Sequence, residues 1–199
     1  MDDEGLAAEL LAMAAEDLRV RGELVRDGSL YAGYQPRMRE VHERNAARLL
    51  AVLDAHGWPG RARVGERAAE AAWRVLQHAI GNPVLQRRGL ALLKQAQQAD
   101  DVPLLQVAML EDRVRSCEGR GQVYGTQFDW DEQGRMSPLP IEDEANVDAR
   151  RHAIGLGPLS GAIERQRATA EQEGARPPAD WNARVREKEA WLRSCGWRD

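Results

Sequence analysis

The sequence predicts a mainly α fold: an irregular helical bundle with one small β-hairpin and an appended carboxyl-terminal helix. Ala, Leu, Arg and Glu dominate the 199 residues, and these are strong helix formers. Phe and Tyr, which favour strands, are scarce. Apolar residues recur every three to four positions over most of the chain, and caps and breakers punctuate them. The expected organisation is a helical domain over residues 1–174, with a hairpin near 122–141, then a linker and amphipathic helix over 175–199.

The first helix is expected over about residues 6–25, with Leu6, Leu10, Met13, Val20 and Leu24 as its apolar stripe and Asp17 inside that stripe. Pro36 suits a first helical turn, because its missing N–H would have no intrahelical partner there. The helix it opens carries Met38, Val41, Leu49, Val52 and Leu53 on one side, interrupted by His42 and Asn45. Gly57 and Pro59 end it. After a loop over residues 58–65, a third helix presents Ala68, Ala72, Val75 and Ala79, with His78 at the border. Asn82 caps and Pro83 opens a fourth, through Leu85, Leu92 and Leu93. Asp101 and Pro103 precede a fifth over 104–117, where Asp112 follows Leu105, Ala108 and Met109 at helical spacing.

The run Gly121-Gln122-Val123-Tyr124-Gly125-Thr126-Gln127-Phe128 reads as a strand, with Gln122, Tyr124 and Thr126 on one face. A turn near residues 131–134 returns it through 136–141. Two more helices are expected over about 144–154 and 158–173. Pro177-Pro178 marks a linker, and Asp180 caps a last helix carrying Trp181, Val185, Trp191 and Leu192.

Composition narrows function. A net charge of −4, from 28 basic and 32 acidic residues spread along the chain, argues against nucleic acid, which selects a basic stripe. No run of about 18 apolar residues exists, so no membrane span is expected, and the acidic start lacks a signal-peptide pattern. Cys117 and Cys195 have no C-x-x-C neighbour, so a cytoplasmic location with reduced thiols is expected. P-loop, G-x-S-x-G and strand-following G-x-G-x-x-G patterns are all missing.

Asp17, His42 with Asn45, His78 and Asp112 each occupy a position where the stripe asks for an apolar residue. Burying such a group unpaired costs a few kcal/mol, so three readings compete. The first is a satisfied polar network. The second is an acid–base site in which His78 or His42 moves a proton and Asp112 or Asp17 orients it. The third is a metal site, for which neither Glu-x-x-His nor His-Glu-x-x-His occurs.

The order His56-Gly57-Trp58-Pro59, Ala72-Trp73, Gln77-His78-Ala79, Asp112-Arg113-Val114 and Gln122-Val123-Tyr124-Gly125-Thr126-Gln127 is shared with a known family. It closes with Val147-Asp148, Arg150-Arg151 and Gly155-Leu156-Gly157-Pro158-Leu159. The chain thereby resembles the bacterial domain-of-unknown-function 6624 family over about residues 6–165. The resemblance implies that His78, Asp112, Arg113, Gln122, Tyr124, Thr126 and Gln127 are family-pattern positions. It assigns no activity.

The function expected is a small enzyme using metal-independent acid–base chemistry, as elimination, cyclisation or hydrolysis, on a polar small molecule or peptide. His78 is the expected proton shuttle and Asp112 its orienting carboxylate. Arg113, Gln122, Tyr124, Thr126 and Gln127 are the expected substrate contacts, and Asp17, His42 and Asn45 support them from behind. Neither a metal nor a cofactor is expected. The rival expectation is a non-catalytic module that binds a protein partner. A homodimer through residues 180–197 fits the tryptophan-rich tail.

Overall fold

The computed structural model describes residues 2–30 and 34–199. It is 67% helical, with one small antiparallel two-stranded sheet. The chain divides between Val107 and Ala108 into two compact units.

In the first unit, α1 (Asp3–Arg26) is capped by Asp2, whose side chain accepts from the Gly5 amide. Its buried stripe is Leu6, Leu10, Ala14, Asp17, Val20 and Leu24, so Ala14 takes the place expected of Met13. α2 (Pro36–His56) begins at its proline and ends at Gly57, as the breakers predict. The expected loop after it contains a one-turn helix, α3 (Arg61–Val64). α4 (Glu66–His78) is the most amphipathic of the set, burying Ala68, Ala72, Val75 and Leu76 against α1 and α2. α5 (Pro83–Gln98) follows the Asn82 cap. It approaches α4 so closely that a Cβ on Gly89 would fall 2.5 Å from the Leu76 side chain. Gln86, fully buried, donates to the carbonyl of Leu76 and so holds the last turn of α4.

α6 (Leu104–Cys117) carries the chain from the first unit into the second. The strand expected over Gln122–Phe128 is not one: β1 is Phe128–Trp130 and pairs with β2 (Met136–Pro138), Asp129 opposite Ser137. Residues 123–127 instead bend around a carboxylate, with Gly125 at φ 65°. A Cβ there would also meet Ile141 at 2.8 Å. A short 3-10 turn, Glu144–Asn146, precedes α7 (Val147–Ala153), and α8 (Leu159–Gln172) packs on β2. Asp180 caps α9 (Trp181–Ser194) as expected. α9 docks within its own unit: Leu192 and Trp197 are buried, and Trp181 Nε1 donates to the carbonyl of Trp130. Among the described residues, no helix is long and apolar enough to cross a membrane.

Candidate functional site

The polar interruptions of the helical stripes separate into two places, one in each unit. In the first unit, α1, α2 and α4 contact one another, and each contributes one residue to a cluster. Asp17 comes from the middle of the α1 stripe, His42 from the second turn of α2, and His78 from the last residue of α4. Asp17 is 1% exposed, whereas the side chains of His42 and His78 are 13% and 33% exposed.

His78 Nδ1 lies 2.7 Å from Asp17 Oδ2. Facing an ionised carboxylate, that nitrogen carries the proton and donates it. His42 Nε2 stands 3.4 Å from the same oxygen. The pair is not aligned as a hydrogen bond, and Nε2 stays unsatisfied among the described residues. His42 Nδ1 is held at 2.8 Å by the hydroxyl of Tyr34, and the two imidazole rings lie 5.2 Å apart between centroids. Asp17 Oδ1 is buried and accepts no hydrogen bond from a described residue.

Burial alone would raise the Asp17 pKa, but the neighbouring imidazoles of His42 and His78 outweigh it and hold the carboxyl below its ordinary value. Asp17 is therefore a buried anion. Asn45, one turn after His42 and also buried, donates to the carbonyl of Met13 and ties α2 to α1 beside the cluster.

In the second unit Asp112, wholly buried, receives the backbone amides of Val123, Tyr124 and Thr126 together with the Thr126 hydroxyl, at 2.7–3.2 Å. The loop wraps the carboxylate because amides of an extended strand alternate in direction, while a bent one can turn several toward one anion. Gln122 donates to the carbonyls of Gln127 and Leu139 and accepts from the Gln127 amide. Gln127 accepts from Arg113 Nε and donates to the Met109 carbonyl. Arg151, also buried, donates to the carbonyls of Tyr124 and Gly157, and Arg150 to that of Val123. Tyr124 is half-buried, and its phenol is pushed up by burial and by the nearby Glu111 and Asp112 charges.

The carboxylate that faces His78 is thus Asp17, not the expected Asp112. Arg113, Gln122, Thr126 and Gln127, expected to contact substrate, use hydrogen-bonding atoms on the loop and on α6. Asp17, His42 and His78 meet as a compact set in which one ligand atom of each lies within 4.8 Å of the others. Tyr34 and Gln86 escaped the sequence reading. Tyr34 lies just ahead of the α2 stripe, and Gln86 sits on the buried side of α5 beside Leu85.

No curated protein and no solved structure matches the chain. The family model described as a family of unknown function (DUF6624) matches residues 4–170, spanning all of the cluster and the loop around Asp112. The chain belongs to the DUF6624 family.

Proposed function

We propose that this protein is a small cytoplasmic enzyme that applies acid–base chemistry to a polar small molecule or peptide, centred on Asp17, His42 and His78. The observation that carries the reading is a fully buried carboxylate shared by two imidazoles, one of them a third exposed. An ionised carboxylate out of water costs several kcal/mol unless paired, and an apolar residue in the α1 stripe would avoid that cost. The chain keeps the charge and leaves Oδ1 without a donor among the described residues. Such a site stabilises positive charge that appears beside it, which is what accepting a proton from a substrate requires.

Asp17 and Tyr34 set the orientation of the two rings, and the exposed edge of His78 is where a substrate would reach the cluster. Elimination, cyclisation and hydrolysis can each use a proton transfer of this kind, from the substrate or from an attacking water. The acidic balance of the chain argues against nucleic acid as partner, and Cys117 and Cys195, neither in a disulfide among the described residues, suit the cytoplasm.

A second reading, an interaction module that dimerises through residues 180–197, draws on the 43% exposure of Val185 on α9. It is the weaker one, because Leu192 and Trp197 already have cover within the unit.

The test is turnover of a panel of peptides, amides, esters and hydroxy acids by the full chain, followed by mass spectrometry. His78→Ala and Asp17→Asn should each lose at least about 100-fold in kcat/KM while keeping the helical circular-dichroism spectrum. Undiminished turnover in both folded variants would move the chemistry away from this cluster.

A further inference from the structure

We propose that Asp17, His42 and His78 form a binding site for one divalent transition-metal ion of the zinc class. The inference rests on reading the cluster as the reactive centre, and it departs from the metal-independent chemistry that the sequence suggests. Ligands to a single such ion sit about 2.0–2.2 Å from it and hence at most about 4.4 Å from one another. One donor atom from each of the three residues already lies within 4.8 Å of the others, so side-chain adjustment without movement of the helices would complete the approach.

The unused bonding capacity points the same way. Asp17 Oδ1 and His42 Nε2 are both buried and both without a hydrogen-bond partner among the described residues. Two orphaned buried atoms on adjoining side chains are costly in a scaffold. Both become satisfied when a cation lies between them. His42 is also prepared as a ligand. The Tyr34 hydroxyl, 2.8 Å from Nδ1, can accept a hydrogen bond from the protonated Nδ1 and leave the Nε2 lone pair free to face a cation beside Asp17. Outer hydrogen bonds of this kind fix the tautomer and direction of metal-binding imidazoles.

Two nitrogens and one carboxylate oxygen select zinc-class ions over magnesium and calcium, which prefer all-oxygen shells. Three protein ligands leave a coordination position for water, as at catalytic rather than structural sites. The partial exposure of His78 provides a route to it. The ligands come from three helices, far apart in the sequence, so no short spacing motif announces them.

The experiment is calorimetric titration of the full chain with zinc chloride alone, with visible absorption of the cobalt-loaded protein as a second readout. The expected result is one ion per chain, undisturbed by a large excess of magnesium. Affinity should fall by at least about tenfold in Asp17→Asn and in His42→Ala. His56 and His152 are exposed, so His56→Ala and His152→Ala should bind as the parent does. Circular dichroism identifies any variant that does not fold. If Asp17→Asn is one, His42→Ala and His78→Ala carry the comparison. Absence of one-to-one binding in the parent, or equal binding in folded His42→Ala and His78→Ala, overturns the metal site. One-to-one binding that these variants lose, in a protein that turns over nothing, supports the metal site while removing the catalytic reading. Turnover lost in His78→Ala without any zinc binding does the reverse.

Discussion

Asp17 and Asp112 are both fully buried aspartates on helices, and their surroundings divide them. Asp112 meets three amides and a hydroxyl, which is close to everything two carboxylate oxygens can accept. Its bonding capacity is taken up by the segment from Val123 to Thr126, whose shape it fixes. Asp17 has one well-formed bond, to His78, and an oxygen with none among the described residues. Asp112→Asn should therefore destabilise the protein by about 1–3 kcal/mol, because an amide nitrogen cannot accept from the amides it would face. A denaturant melt at neutral pH measures this. An unchanged midpoint would mean that the loop holds its shape without the charge.

At the scale of elements, α9 shows how the carboxyl-terminal segment is fastened. Lys188 Nζ lies 2.7 Å and Arg184 3.3 Å from the Asp129 carboxylate on β1. Arg198 donates to the carbonyls of Ser116 and Cys117 at the end of α6. Burial would raise the Asp129 pKa, but Lys188 and Arg184 bring it below its ordinary 3.8. A carboxyl depressed in the folded state adds stability above its unfolded value and loses it as pH falls through the folded one. Asp129→Asn should accordingly lower the melting temperature at neutral pH, with a cost of about 1–3 kcal/mol. The gap to the parent should begin to close as pH falls below about 3.9, the unfolded carboxyl's ordinary value, and vanish once the folded-state carboxyl is protonated too. A gap that stays constant across that range would show that α9 is held by its tryptophans and Leu192 instead.

Across the whole molecule, the helices were legible because caps, prolines and stripes are local. Pro36, Gly57, Asn82 and Asp180 mark boundaries within a residue of where they fall. The candidate polar residues were legible too, since a charge in an apolar stripe is visible without a structure. Their pairing was not. Periodicity places Asp17, Asp112 and His78 on the core sides of their helices but carries no information on which helix packs against which. The division of the chain inside α6, with His78 and Asp112 in different units, has no sequence mark at all. The loop over 122–127 misled for another reason. Alternation describes side chains, whereas this segment is shaped by its amides turning toward Asp112.

The central claim is that chemistry belongs to Asp17, His42 and His78, while the loop around Asp112 is scaffold. Crystals soaked with a library of small polar fragments test it most directly. The account predicts bound density within hydrogen-bonding distance of the exposed edge of His78, lost in crystals of His78→Ala. Fragments held by Gln122, Thr126 and Gln127, with none at His78, would contradict it.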